Sequence, residues 1–248
     1  MEWLNLSTEK INKVYKSIFL NQCYICNKSS KNTLCQHCHD LLPKNEIHCL
    51  HCKHPTFKTN AICGHCQASP PEYQTCVAPY RFEGIIKTLI HSIKFNQGNH
   101  YIRPLTYLLS EHLIKTYSSD SWPDQLVYVP SHPNRIKERG FCQTKVMTHH
   151  LAKHLQQKIG GNCPHLISNN PLSKLKHTQA QHSLSRKERL KNKKNIYDIK
   201  IPVSKHIALF DDVMTTGNTI ESCTKLLLNA GAERVDIWVI ARTPDKAD

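Results

Sequence analysis

Eight of the 12 cysteines form four Cys-x-x-Cys pairs between residues 23 and 66. Eight residues separate the first two pairs, and ten separate the last two. A Cys-x-x-Cys turn places two thiolates on one side of a tight loop, so two such turns complete a tetrahedral site of four sulfur ligands. The spacing predicts two structural zinc sites, whose ligands are Cys23, Cys26, Cys35, Cys38, Cys49, Cys52, Cys63 and Cys66.

The spacing leaves open which pairs share a metal ion. Sequential pairing closes the smaller loops, whereas a cross-braced pairing uses the same eight ligands. A redox-active dithiol would need a βαβ context, which these pairs lack. Nearby histidines can each replace a thiolate, but eight thiolates already suffice, so we interpret the histidines as surface or supporting groups. A site closed by four cysteines has no free position, and we therefore assign no catalysis to this zinc.

Length and hydropathy exclude a membrane-spanning protein and predict a cytoplasmic one. The 248 residues allow one large domain or two smaller ones, and no apolar run approaches 18 residues. Residues 1–20 lack the apolar core of a secretory signal and predict an amphipathic helix instead. This helix docks on the protein itself or on a membrane surface, and its weakly basic polar face favours the first. Cytoplasmic cysteines in such number favour metal binding over disulfides.

Beyond Pro70 and Pro71 the pattern changes to strands that alternate with helices. The predicted strands cover 76–82, 126–130, 206–210 and 235–241, and the predicted helices cover 84–94, 101–117, 143–157 and 218–230. This alternation predicts an α/β fold with a parallel sheet flanked by helices. The expected organisation is an amphipathic helix over 1–20, a zinc-binding domain over 21–71 and the α/β domain over 72–248.

The segment HIALFDDVMTTGNT at 206–219 carries the chemistry. An apolar strand runs into two acids, a Thr-Thr-Gly turn and a helix, and ligands of α/β sheets bind at this end of a strand. Backbone N–H groups and hydroxyls over 215–219 form a phosphate cradle, which Gly217 lets an anion approach closely. Asp211 and Asp212 suit a pair of sugar hydroxyls or a hydroxyl-bound Mg2+. An ordinary helix cap explains one of these residues but not the whole pattern, so the segment predicts a ribose phosphate site.

The stretch FDDVMTTGNT resembles the signature with which type I phosphoribosyltransferases bind 5-phosphoribosyl 1-pyrophosphate (PRPP). With four Cys pairs in front of it, the chain is similar to the ComF (GntX-like) family of competence-associated, phosphoribosyltransferase-like proteins of bacteria. Three further segments fit this family: LIHSIKF at 89–95, VPSHPNRIKERGFCQ at 129–143 and HTQAQHSLSRKERLKNKKNIY at 177–197. The resemblance covers nearly all of the chain after residue 20.

The resemblance implies a type I phosphoribosyltransferase-like fold that binds PRPP with Mg2+. It implies transfer of phosphoribose to a nitrogen base with release of pyrophosphate, and a role in natural competence beside other competence proteins. Asp211, Asp212 and Arg139 would be catalytic. The implied PRPP-binding set is Asp211, Asp212, Thr215, Thr216, Gly217, Asn218, Thr219, Arg135, Arg139, Gly140 and Lys94. A mobile loop bearing Thr178, Gln181, Arg189 and Asn192 would close over the reaction centre.

One departure from the family lies at Cys142, where the family usually has asparagine. Asparagine offers a donor and an acceptor, whereas a thiol is a weak donor. If the side chain at this position touches the ligand, cysteine changes a contact with the acceptor or the pyrophosphate. If it only braces the loop, the replacement changes little.

The positive charge is concentrated between residues 174 and 200. The chain carries a formal net charge of +14, and this segment holds nine basic residues against two acidic ones. The segment is either solvated or follows a nucleic-acid backbone. The second alternative makes the protein a non-catalytic component of DNA uptake that binds single-stranded DNA through its basic loop and zinc domain.

Overall fold

The computed structural model describes residues 22–31, 33–95, 98–166, 170–174 and 197–244. The chain divides into two compact units, Met1–Leu42 and Pro43–Asp248. The expected boundary at residue 71 does not coincide with this division, because Cys49, Cys52 and Cys66 are buried in the same hydrophobic cluster as the central strands. The helix predicted over 1–20 lies outside the described residues, as do Thr178, Gln181, Arg189 and Asn192.

The smaller unit is built from a tight turn and a short helix, α1 (Gln36–Asp40). In the turn, the Cys23 N–H donates to Lys28 at 2.7 Å, and Asn27 takes a left-handed φ of 57°. Asparagine tolerates this backbone region better than most residues. Cys35 precedes α1 and Cys38 lies buried within it, so the turn and the helix each present two thiols.

The larger unit is organised around a parallel sheet, whose described strands are β1 (Thr75–Val77), β2 (Tyr80–Arg81), β3 (Gln125–Tyr128), β4 (His165–Leu166), β7 (His206–Met214) and β8 (Arg234–Arg242). The strand order is β1-β8-β7-β3-β4, and β2 also pairs with β8. A separate antiparallel pair consists of β5 (Leu172–Lys174) and β6 (Tyr197–Ile199). The helices are α2 (Gly64–Ala68), α3 (Gly84–Phe95), α4 (Ile102–Thr116), α5 (Pro133–Arg139), α6 (Gln143–Ile159) and α7 (Asn218–Asn229), with 3-10 turns at Asn99–Tyr101 and Gly160–Asn162.

Strands β7 and β8 form the centre of the core. Residues 207–210 and 235–241 are buried without interruption, as expected of strands covered on both faces. Helix α7 connects the two strands and buries Ile220, Cys223 and Leu227. Each fully buried aliphatic side chain contributes about 1.5–3 kcal/mol relative to exposure. The predicted α/β fold, a parallel sheet flanked by helices, is thus confirmed. None of the described helices is both long enough and apolar enough to span a bilayer.

Strand β7 is longer than the sequence predicts. It continues past Phe210 because Val213 and Met214 pair with Ala241 and Arg242 on β8. Asp211 and Asp212 therefore lie on the strand itself. The segment 129–143, which carries the predicted residues Arg135, Arg139 and Gly140, contains the short helix α5.

A buried polar network fastens the opposite end of β8. Asp236 is fully buried, and its carboxylate accepts hydrogen bonds from Tyr117 at 2.8 Å and from Arg234 at 3.0 Å. His206 lies 2.9 Å from the same carboxylate, and Trp238 donates to the Tyr117 oxygen at 2.9 Å. A buried carboxylate is tolerated only when it is paired in this way.

Candidate functional site

The turn between β7 and α7 presents a row of backbone N–H groups. Within the described residues, none of the five N–H groups from Thr215 to Thr219 donates a hydrogen bond. Gly217 makes the turn possible with a φ of 91°, which residues with a Cβ rarely adopt. Free N–H groups at the start of a helix attract anions through both hydrogen bonding and the helix dipole. We call residues 215–219 the phosphate loop.

Asp212 faces the helices α3 and α6. Its carboxylate lies 2.6 Å from the Lys94 ammonium and accepts a hydrogen bond from the Gln143 side chain at 2.8 Å. Lys94 is in the last turn of α3, and Gln143 is the first residue of α6. The structure thus brings the predicted Lys94 to the predicted Asp212. Gln143 was not predicted individually, although it ends the family-like segment 129–143.

Asp211 faces the β5–β6 pair and α7. Burial and the neighbouring Asp212 charge raise the pKa of Asp211 well above its usual range. Lys174 and Tyr197 lie within electrostatic reach of Asp211, and the Lys174 ammonium donates to the Tyr197 hydroxyl at 3.2 Å. Burial lowers the pKa of Lys174, and the nearby Arg135 lowers it further. The Thr219 side chain lies beside Tyr197, which joins this group to the phosphate loop.

Sequence reasoning did not identify Lys174 and Tyr197 as site residues. The available signal was their position, since they lie near the two ends of the basic segment 174–200. Their pairing on β5 and β6 places both beside Asp211. The segment between them lies outside the described residues.

The two predicted arginines of α5 have different neighbours. The Arg139 guanidinium lies 5.3 Å from the centre of the ring of Phe95, the residue that follows Lys94 in the sequence. Arg135 is exposed, and its charge lowers the pKa of Lys174. Gly140 ends the helix with a φ of 80°. The three predicted residues therefore flank the site through α5, with one arginine on the Asp212 side and the other on the Asp211 side.

Cys142 braces the segment that precedes α6. Its thiol lies 3.4 Å from the Thr144 hydroxyl and donates to the Ser131 hydroxyl at 3.6 Å. Burial alone would raise the pKa of this thiol, but hydrogen bonds with Thr144 and Ser131 lower it. These contacts favour bracing of the loop as the role of this position.

The eight predicted metal ligands form two sets in sequential pairing. One set is Cys23, Cys26, Cys35 and Cys38, the other is Cys49, Cys52, Cys63 and Cys66, and the sulfur atoms of each set lie within 4.8 Å of one another. The described residues thus form the sequential pairing and not the cross-braced one.

The geometry of both sets fits Zn2+. The Cys26–Cys35 and Cys52–Cys63 sulfur distances are both 3.7 Å. Tetrahedral Zn–S bonds of about 2.3 Å place neighbouring sulfurs about 3.8 Å apart, whereas a disulfide requires about 2.05 Å. Burial opposes ionisation of Cys23, but hydrogen bonds from the Cys26 and Cys35 backbones lower its pKa to about 6. These N–H groups stabilise the thiolate form that a metal ion requires.

The second Cys set borders the phosphate loop inside the larger unit. A cavity of about 560 Å³ lies between them, and its lining includes His65, Tyr73, Thr215, Thr216 and Glu221. Buried Arg242, at the end of β8, donates to the Cys52 carbonyl at 3.2 Å and to the carbonyls of Met214 and Thr215. Sequence reasoning missed Arg242, because no local pattern connects it to Cys52.

Several known proteins are similar to this chain. The phosphoribosyl transferase domain model matches residues 146–248. The chain is 29% identical over 227 residues to the DNA utilization protein YhgH of Salmonella typhimurium, covering 89% of this chain and 96% of that protein. It is 28% identical over 236 residues to Competence protein F of Haemophilus influenzae, covering 91% and 99%. A hypoxanthine phosphoribosyltransferase structure from Staphylococcus aureus aligns at 18% identity with a TM-score of 0.34, covering 59% of this chain and 67% of that one.

Proposed function

Since the chain belongs to the ComF family of phosphoribosyltransferase-like proteins, we propose that it binds PRPP with Mg2+ and transfers phosphoribose to a nitrogen base. The observation that carries this proposal is the phosphate loop, whose five N–H groups donate no hydrogen bond within the described residues and follow directly on β7, the strand that bears Asp211 and Asp212. A phosphate group and a pair of sugar hydroxyls are the ligands that such a combination recognises.

The 5′-phosphate of PRPP binds at Thr215–Thr219, where hydroxyls and N–H groups both donate. The ribose hydroxyls lie against Asp211 and Asp212. Lys94 is paired with Asp212 before ligand binds, and its ammonium can turn from that carboxylate to the pyrophosphate. Arg139, Arg135 and Lys174 surround the same end of the sheet, so the leaving pyrophosphate meets cations from both faces.

The carboxylates of Asp211 and Asp212 fit Mg2+, which prefers oxygen ligands and usually binds one or two carboxylates together with substrate phosphates. Bound with PRPP, Mg2+ would neutralise charge on the pyrophosphate. The chain's own residues contribute by positioning the ribose and by stabilising the charge that develops on the leaving group. The two Cys sets bind structural zinc in this proposal and take no part in the reaction.

Calorimetric titration of PRPP with Mg2+ into the zinc-loaded protein tests the binding step. The double variant Asp211→Asn with Asp212→Asn is expected to lose binding. Asp120→Asn serves as the matched control, because Asp120 is an exposed carboxylate in the turn after α4. A folded, zinc-loaded protein that gives no binding heat would refute the proposal, as would a double variant that binds like the control.

Turnover is tested by pyrophosphate release over a panel of nitrogen bases. A base that supports release identifies the acceptor class. Release that persists in the double aspartate variant would show that the activity belongs to a contaminant.

We further propose a role in DNA uptake, because the named relatives are a competence protein and DNA utilization proteins. The net positive charge of residues 174–200 supports contact with single-stranded DNA. Binding of single-stranded DNA should then weaken steeply as salt rises, since neutralised phosphates release counterions. An affinity that stays flat between about 50 and 200 mM salt would contradict this role.

A further inference from the structure

Arg242 joins two sites that are far apart in the sequence. Its guanidinium donates to the carbonyl of Cys52, a member of the second Cys set, and to the carbonyls of Met214 and Thr215, which begin the phosphate loop. Cys52 and Arg242 are 190 residues apart. One side chain therefore holds the backbone of the metal set and the backbone of the anion site together.

The three carbonyl groups accept hydrogen bonds from Arg242 but carry no net charge, so they compensate its positive charge only in part. The residue is 5% exposed, and among the described residues it forms no ion pair with a carboxylate. A buried, unpaired charge is costly. Four thiolates around one Zn2+ carry a net charge of about −2. The loaded second set is therefore an anion beside this cation, because Arg242 contacts the Cys52 carbonyl, and it compensates Arg242 only while metal is bound.

The contacts of Arg242 also fix the direction in which the phosphate loop donates. In a planar trans peptide, the carbonyl and the following N–H point in opposite directions. Because the Met214 and Thr215 carbonyls are drawn toward Arg242, the N–H groups of Thr215 and Thr216 point away from it. They are thereby presented on the side where an anion can bind.

We propose that Arg242 is a positioning residue that couples metal binding at the second Cys set to ribose-phosphate binding at the phosphate loop. This inference rests on the proposed function. Coupling between two sites is reciprocal in free energy, so metal strengthens phosphate binding and phosphate strengthens metal binding by the same amount. The tighter metal binding is expected to appear as slower metal loss. The first Cys set belongs to the smaller unit and therefore serves as the internal comparison.

Zinc release to a chromogenic chelator, with and without ribose 5-phosphate, measures this coupling. The full chain is compared with its Cys23→Ser, Cys26→Ser variant, which reports the second set alone; the difference from wild type reports the first set. Ribose 5-phosphate should slow release from the second set by at least about fivefold and leave the first set unchanged. Calorimetry on the same samples establishes that the sugar phosphate is bound.

Arg242→Lys keeps the charge but loses the fork that reaches three carbonyls. This variant should still bind two zinc ions, while ribose 5-phosphate no longer slows release. Arg234→Lys is the matched control, since Arg234 lies at the other end of β8 and bonds Asp236; it should behave as wild type. A role limited to general stability would change zinc release equally with and without the sugar phosphate.

Slowing that is absent from the second set while ribose 5-phosphate is bound would overturn the coupling. Slowing that persists in Arg242→Lys would overturn the role of this residue. Failure of ribose 5-phosphate and PRPP to bind any folded, zinc-loaded sample would overturn the proposed function and the inference with it. Should Arg242→Lys fail to fold, the comparison of the two sets in the wild type still decides the coupling.

Discussion

Gly217→Ala tests the phosphate loop with the smallest possible change. Gly217 has a φ of 91°, and a Cβ added there would lie 3.0 Å from the terminal methyl of Met214. The methyl belongs to the flexible end of its side chain, so it can move aside. The remaining cost is the left-handed backbone, which is about 1–2 kcal/mol for a residue other than glycine.

The substitution should affect ligand binding more than a simple loss of stability explains. If alanine relaxes φ toward negative values, the N–H groups of Thr216 to Thr219 no longer converge on one point. We expect PRPP affinity to fall at least tenfold, which corresponds to about 1.4 kcal/mol. The free energy of unfolding should fall by about 1–2 kcal/mol.

Gly231→Ala is the matched control. Gly231 follows the other end of α7 with a φ of 105°, and a Cβ there meets nothing within 4 Å. It carries the same backbone cost without touching the site, so it should lower stability to a similar degree and leave PRPP affinity unchanged. Urea unfolding and calorimetric titration of both variants give the comparison. Equal PRPP affinities in the two variants would refute the assignment of the phosphate loop.

Four further predictions follow from the described contacts. Metal analysis should find about two zinc ions per chain, and Cys26→Ser should leave one; a single ion in the wild type would contradict the two Cys sets. PRPP affinity should rise with pH as Asp211 loses the proton that its raised pKa retains, and calorimetry that shows no proton release on binding would contradict this. For the same reason ionised Asp211 opposes folding, so stability should fall with rising pH in the wild type but not in Asp211→Asn. Tyr117→Phe removes hydrogen bonds to buried Asp236 and Trp238 and should cost about 1–3 kcal/mol in urea unfolding, with PRPP affinity unchanged; a stability equal to wild type would refute the role of that network.

The sequence predicted features whose residues are close along the chain. The eight cysteines could be assigned to metal sites from spacing alone, because each turn is closed by local backbone bonds such as Cys23 to Lys28. The strands β7 and β8 could be located because both faces are buried and their apolar runs are continuous. The phosphate loop was visible as a strand, a glycine turn and a helix in succession.

Features set by distant pairing could not be predicted in the same way. Asp211 and Asp212 follow an apolar run, so the sequence places them after the strand, whereas pairing with β8 extends β7 to Met214 and includes both residues. The sequence pattern indicates only that Arg242 is the polar residue at the end of an apolar strand. Its contact with Cys52, 190 residues away, becomes visible only in the folded structure.

The two Cys sets are built as repeats of one design. In both, the fourth residue after the first cysteine has a left-handed φ, 57° at Asn27 and 55° at Lys53, and the third cysteine precedes a five-residue helix. One copy forms a unit with the residues before 43, while the other contributes three buried cysteines to the central core. Because only the second set is packed into the core, the two sets face unequal mutational constraint. Residues between the ligands are therefore freer to diverge in the first copy, and the second can change only together with the sheet that enclosed it.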